Sequence, residues 1–400
     1  MADPTIKKIT LASGKTRYRF VVDIGRDENG RRKQLTVTKD TKKAAEAELA
    51  RITHERNNGS FVAPTDLTVS QWVRLWLERK ARDIEETSLR AYEGALVHVH
   101  ERIGHIRLQA LTEDDVEDLA QWLVTGARRR GGKPGTGLRV STAEGVLSKL
   151  RECLGRAVVR RMIAVNPAEY VKIPLQAKKQ DRKDHRRERP WTPAEVRSFI
   201  RVIEDDRLHA PYLLSLMGLR PAEVVGLRWS DVDLTVGTLE TANTRTMLGN
   251  RWVLEKDTKT EAGERKLPLP SKAAEALRKF KARQAAERLA AGEGYTETPY
   301  VVVNELGLPL NIRQLRERAY SLMHRHKLRR VRLYDARHSC LTYLANNGVP
   351  DHILATWAGH TSASFTKRRY VHPDVEDLRP AATAWDVFHS DDRPTVSENL

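Results

Sequence analysis

The spacing of apolar and polar positions changes several times along the chain, and each change marks an element boundary. Residues 6–11, 16–24 and 31–38 are rich in Ile, Val, Tyr, Phe and Thr, which predicts three strands. Ser13-Gly14 and Asn29-Gly30 are the turn signals between them. The stretch from Lys42 to Asn57 fits a helix with Thr41 as its N-cap. Asn58-Gly59 and Ala63-Pro64 then mark a linker. From 65 to 175 the spacing is helical. Trp72, Val73, Trp76 and Leu77 share one face, as do Leu89, Tyr92, Leu96 and Val99 after Thr87-Ser88. Thr112 opens a third helix, with Asp114, Asp115 and Glu117 in its first turns, at the positive end of the helix dipole. After a glycine-rich loop at 131–137, a fourth helix runs from Ser141 through Leu147, Leu150, Leu154 and Val158 and stops before Asn166-Pro167. The tryptophans belong to the core of this bundle.

The segment 176–190 breaks the pattern, with seven lysines and arginines in fifteen residues. A run of this kind predicts a solvated, mobile linker, and one that could also wrap a duplex, because flexible cations still release counterions. At Thr192-Pro193-Ala194-Glu195 an N-cap threonine, a proline at the first helical position and a glutamate at the third announce a new helix. Helices follow to about Trp229, then a short β region over roughly 234–270 with a turn at Gly249-Asn250. Helices resume at Ser271 and run, interrupted at 292–310, to near Leu378. Ala382, Trp385 and Phe388 keep a weak apolar stripe, and the last ten residues read as disordered. The predicted fold class is multidomain. Residues 1–60 form an α+β unit of a three-stranded sheet with a helix, and 65–175 form an all-α bundle. Residues 176–190 form a basic linker. Residues 191–389 form a mainly α unit with a small antiparallel sheet, and 390–400 a tail.

Composition narrows the function. Of 400 residues, 70 are Lys or Arg and 53 Asp or Glu, a formal charge of +17, which points to a polyanionic partner. At 40% hydrophobic residues, global disorder is excluded. Cys153 and Cys340, far apart in sequence, offer neither a disulfide framework nor a zinc cluster. No signal core opens the chain and no apolar run approaches about 18 residues, so a soluble, intracellular protein without a membrane partner is expected. Arg17, Arg19, Arg31, Arg32 and Lys33, on or beside the first strands, suit a sheet lying against DNA phosphates. Lys178, Lys179, Arg182 and Lys183 of the linker are further candidates.

Four stretches of the third unit carry candidate chemistry. In GLRPAEVVGLRWSDVDL, Arg220 ends one helix just before Pro221 starts another, which would fix its guanidinium between helix ends. In DTKTEAGERKLPLP, Lys259 lies in a polar turn between strands. LYDARHSCLTYL holds Arg337, with Asp335 before it and His338 after. AGHTSASFTKRRYVHP holds His360 and, ten residues on, Tyr370. Each alone is an ordinary surface residue.

Taken in order, Arg, Lys, a box ending in Arg, Gly-His and Tyr-x-His resemble the tyrosine recombinases, or phage integrase family. The resemblance covers about 65 to 385, and the N-terminal unit looks like the arm-binding domain of integrases that use accessory arm sites. It implies that Tyr370 is the nucleophile of a 3′-phosphotyrosyl bond, that Arg220 and Arg337 bind the scissile phosphate, and that Lys259 is the general acid. His360 would bind the phosphate or assist the nucleophile. The box usually begins with histidine, where this chain has Tyr334, which can donate a hydrogen bond but is neither cation nor base near neutral pH. His338, His372 and Asp335 read as supporting residues. The chemistry is coherent. A covalent phosphoenzyme conserves the phosphodiester energy, two planar guanidiniums clamp the developing charge without a metal, and a lysine can protonate the departing 5′ oxygen. No metal and no cofactor are implied. Double-stranded DNA at attachment core and arm sites, a homo-tetramer on DNA, and an excisionase or a DNA-bending host factor are the implied partners. The implied location is cytoplasmic, at the nucleoid, in a bacterial or phage setting. The alternatives are a type IB topoisomerase, a host resolvase, and, from another class, an inactive DNA-binding regulator. The helical domain and the terminal segment favour a recombinase, the intact site disfavours the regulator, and residues 1–60 favour the integrase of a mobile element.

Overall fold

The structure, a computed structural model, describes residues 5–26, 32–58, 61–128, 131–133, 135–184, 190–248, 252–257 and 264–360, and in addition 364, 379, 382 and 383. Its contacts divide the chain into two units, Met1–Arg187 and Glu188–Leu400.

The first unit holds two separate cores. β1 (Lys7–Thr10), β2 (Thr16–Arg26) and β3 (Arg32–Lys39) form an antiparallel sheet in that order. Phe20 lies opposite Val37 and Val22 opposite Leu35, so one face of the pleat is apolar. α1 (Lys42–Asn57) covers that face with Ala45 and Ile52. Thr41 caps α1, its Oγ1 accepting the Ala44 N–H at 3.1 Å. The Asn29-Gly30 turn lies outside the described residues.

α2 (Val69–Lys80), α3 (Glu86–Arg102), α4 (Glu113–Thr125) and α5 (Val140–Val159) form the bundle. Trp72, Trp76, Leu96, Leu119, Leu150 and Leu154 are among its buried side chains. The Trp72 Nε1–H donates to the Cys153 carbonyl at 3.1 Å and joins α2 to α5. Thr68 and Thr112 each form a reciprocal cap with the residue three positions on. Thr87-Ser88 does not precede α3, which begins at Glu86 behind an uncapped Glu85.

The mobile linker expected at 176–190 is in part a helix, α6 (Leu175–Asp184). Gln, Ala, Lys and Arg are good helix formers, and this stretch has no Gly or Pro. No residue of α6 is fully buried; Ala177 packs partly buried against the bundle core, Lys178 pairs with Glu144 at 2.7 Å, and Asp181 with Arg139 at 3.7 Å. Without an apolar stripe, hydrophobic spacing gives no sign of it.

The second unit opens with α7 (Pro193–Ile203), capped by Thr192 and Glu195, followed by α8 (His209–Leu216) and α9 (Pro221–Gly226). The expected small sheet is two sheets among the described residues. β4 (Val232–Asp233), β5 (Thr238–Glu240) and β8 (Lys266–Pro268) form one, and β6 (Asn243–Leu248) and β7 (Trp252–Asp257) pair antiparallel in the other; the Gly249-Asn250 turn lies outside the described residues. Gly226 lets α9 and β6 meet backbone to backbone, since a Cβ there would lie 2.9 Å from the Asn243 carbonyl oxygen. The Asn243 side-chain amide donates to the Gly226 carbonyl at 3.1 Å across this contact. α10 (Ser271–Ala291), α11 (Ile312–Arg325), α12 (Leu333–Asn346) and α13 (Asp351–Ala358) complete the described part. One core joins Phe199, Tyr212, Leu214, Val224, Leu277, Phe280 and Leu315. No described helix is long and apolar enough to cross a membrane.

Candidate active site

Three arginines from three parts of the chain converge on the C-terminal end of α13. The helix ends in a left-handed Gly359, at φ 62° and ψ 51°. The Gly359 N–H reaches the Thr356 carbonyl at 3.0 Å, and the His360 N–H reaches the Ala355 carbonyl at 2.9 Å. The next three carbonyls are taken by guanidiniums. Arg265 Nε donates to Trp357 O at 2.8 Å, Arg337 Nη2 to Ala358 O, and Arg220 Nη2 to Gly359 O at 2.8 Å. The negative end of a helix dipole is where cations are favoured. The result fixes the residue that follows, His360, among three positive charges.

Arg220 is the N-cap of α9 rather than the end of the preceding helix. α8 stops at Leu216, and Arg220 is extended, at φ −67° and ψ 145°, with Pro221 at the first helical position. The Arg220 backbone N–H donates to Glu223 Oε2 at 2.8 Å and its Nη1 to Glu223 Oε1 at 2.6 Å. Glu223 is 2% exposed, and Arg265 also donates to both of its oxygens, at 3.1 Å each. Burial pushes the Glu223 pKa up, but the hydrogen bonds and charges of Arg265 and Arg220 outweigh it and hold the carboxyl below its ordinary range. Three guanidiniums against one carboxylate leave an excess of two positive charges in this cluster. That charge suits a phosphodiester.

Arg337, in the second turn of α12, has no exposed surface. Its Nη1 donates to Gly218 O at 2.7 Å, and its Nη2 reaches His360 Nε2 at 2.9 Å. A guanidinium only donates, so His360 Nε2 is the acceptor and the ring proton sits on Nδ1. Desolvation first, then the charges of Arg337, Arg220 and Arg265, push the His360 pKa down to about 4. Both observations describe a neutral imidazole.

The structure thus brings Arg220, Arg337 and His360 together. Lys259, between β7 and β8, and Tyr370 lie outside the described residues, as does His372. Tyr334 is 42% exposed, and its ring meets His338 edge-on at 5.3 Å, one helical turn away. Asp335 accepts a forked pair of bonds from Arg332 at 2.8 and 3.2 Å, an anchor for the start of α12. Hydrophobic and motif spacing miss Glu223 and Arg265, although both lie inside stretches already singled out.

Of the other candidates, Arg17 pairs with Asp40 at 2.9 Å and Arg32 with Asp23 at 3.7 Å. Arg19 is exposed and donates to Thr38 Oγ1 at 3.3 Å. Lys179, Arg182 and Lys183 are exposed on α6, where Lys178 is engaged with Glu144. Arg31 and the Lys33 side chain lie outside the described residues.

Residues 191–377 match the Phage integrase family. Over 375 residues the chain is 26% identical to a tyrosine recombinase XerC-like protein of Caldanaerobacter subterraneus subsp. tengcongensis, covering 90% of this chain and 94% of the relative. It is 25% identical over 377 residues to an integrase of Streptomyces ambofaciens, covering 90% and 92%. The Tn1549 transposon integrase in complex with circular intermediate DNA superposes with a TM-score of 0.62 at 18% identity, over 80% of this chain and 99% of that one. A lambda integrase in a tetramer bound to a Holliday junction gives 0.55 at 15%, over 92% and 96%. At those identities the solved structures share the fold. Residues 191–377 are thus a phage integrase family domain, and over nine-tenths of its length the chain is similar to tyrosine recombinases and integrases, enzymes of site-specific DNA recombination.

Proposed function

We propose that this tyrosine recombinase is the integrase of a mobile element, cutting and rejoining DNA through a 3′-phosphotyrosyl bond to Tyr370. The Tyr370 hydroxyl gives its proton to solvent water as its oxygen attacks the scissile phosphorus, the bond to the 5′ oxygen breaks, and Lys259 supplies the proton that oxygen needs. Arg220 and Arg337 stabilise the charge spread over the non-bridging oxygens. His360, neutral and held by Arg337, offers its Nδ1–H to the same phosphate. Tyr334 donates from its phenolic hydroxyl. Reversal of the step by a 5′ hydroxyl of the partner strand rejoins the DNA. The observation that carries this reading is the cluster itself, two charges in excess at the end of α13.

The N-terminal sheet and the integrase of Streptomyces ambofaciens support a mobile element over a topoisomerase. Residues 1–60 would bind arm sites, and four protomers would act on two duplexes, as in the lambda integrase tetramer. An excisionase or a DNA-bending host factor would set direction, and the nucleoid is the place of action. The XerC-like relative favours one further reading, a host resolvase. Two plasmids, one carrying the element's circular junction and one its chromosomal target, separate them. An integrase joins the two in the presence of this chain. A resolvase acts only on repeated copies of one host site, a topoisomerase only relaxes, and a regulator leaves both plasmids unchanged. Any of those three results removes the integrase reading.

A further inference from the structure

Arg265 is 7% exposed, yet its side chain reaches three separate parts of the site. Its guanidinium donates to both oxygens of Glu223, to Thr241 Oγ1 at 3.1 Å, and to the Trp357 carbonyl at 2.8 Å. Its own carbonyl accepts the Thr241 N–H at 3.0 Å. Glu223 holds Arg220, and Trp357 lies three residues before His360. Arg265 also follows Lys259 by six residues, at the entry to β8. One buried side chain therefore links the helix carrying Arg220, the helix end carrying His360, and the segment leading from Lys259.

We propose that Arg265 is a positioning residue for strand cleavage, acting through Glu223 and the end of α13 to set Arg220 and His360 against one phosphate. The proposal rests on reading this cluster as the phosphate site. Only a planar fork can make these bonds at once. A lysine, with a single compact ammonium, keeps the charge and loses the geometry. A misplacement of about 1 Å at such a site costs up to about 100-fold in rate.

The test uses the full chain and a nicked half-site duplex from the element's own junction, at saturating protein in single turnover. Arg265→Lys should cleave about 10- to 100-fold more slowly, with the final amplitude unchanged and half-site affinity within about threefold of wild type. A purely structural role would lower the amplitude, the fraction of competent protein, and leave the rate constant alone. Glu223→Gln should slow cleavage to a similar degree, and the double variant should be no slower than the worse single one, because both act on one linkage. Arg265→Met, if it stays folded, should match Arg265→Lys; if it unfolds, Arg265→Lys carries the test. A wild-type rate in Arg265→Lys, a loss of amplitude alone, or additive losses in the double variant would overturn the proposal. Absence of any wild-type adduct would instead overturn the recombinase reading, and the proposal with it.

Discussion

His360 is neutral first because burial strips water from its ring, and then because protonating it would place a fourth positive charge beside Arg337, Arg220 and Arg265, with Glu223 opposing. Its pKa is lowered to about 4, so between its ordinary value and that point the unfolded chain binds a proton that the folded chain refuses. Stability therefore falls as pH drops from about 6.5 toward 4, and this contribution is flat above about 6.5. Glu223, also lowered, loses its contribution at still lower pH, in the same direction. The melting temperature of wild type should fall more steeply between about pH 7 and 4.5 than that of His360→Gln, and parallel curves would contradict the assignment. Arg220→Ala and Arg337→Ala should each slow single-turnover cleavage by at least about 100-fold, the loss typical of one preorganised donor. A rate within about threefold of wild type would remove that arginine from the site. Tyr334, exposed and propped edge-on by His338, can offer its hydroxyl to a phosphate. Tyr334→Phe should cost roughly 10-fold in cleavage, while Tyr334→His should keep substantial activity and gain a pH dependence near about 6.5. A fully active Phe variant would show that the ring only packs. At this scale the sequence was legible where chemistry repeats a motif. Thr192-Pro193-Ala194-Glu195 and Arg220-Pro221-Ala222-Glu223 are the same cap pattern, yet only the first has a usual N-cap residue, so Glu223 went unread.

Elements with their own apolar stripe or cap were readable from spacing alone. α1 and α7 begin behind the threonines that spacing marks, and the core face of β2 follows the alternation of Phe20 and Val22. α6 was not readable, since it offers the core only a partly buried Ala177 and no apolar stripe. The end of α13 was not read: the helical spacing was carried on to near Leu378, whereas α13 stops at Ala358 before a left-handed Gly359, and nothing in the sequence says that three distant arginines will satisfy its last carbonyls. The N-terminal sheet carries the element-scale prediction. Its apolar face is covered by α1, and its other face presents Arg17 and Arg19. Residues 1–60 should bind duplex DNA away from the crossover core, with an affinity that falls steeply with salt. Footprints of the full chain and of a chain starting near Pro64 test this. Identical footprints over the whole attachment region would contradict it.

For the molecule as a whole, the order of chemical residues along the chain was more informative than any one of them. Arg220, Lys259, Arg337, His360 and Tyr370 span 151 residues, and only folding shows that Arg220, Arg337 and His360 meet at one helix end. The net charge of +17 indicates a polyanion without saying which one, and the cluster beside Glu223 adds that the site suits a phosphodiester. A covalent bond between Tyr370 and DNA is the centre of the proposed reaction, and the most direct measurement is to trap it. Wild-type chain mixed with a nicked half-site duplex should give an adduct that survives denaturant, and peptide mapping should place the nucleotide on Tyr370. Tyr370→Phe should bind the same duplex as tightly and give no adduct. An adduct formed by the Phe variant, or one mapped to any other residue, would contradict the account.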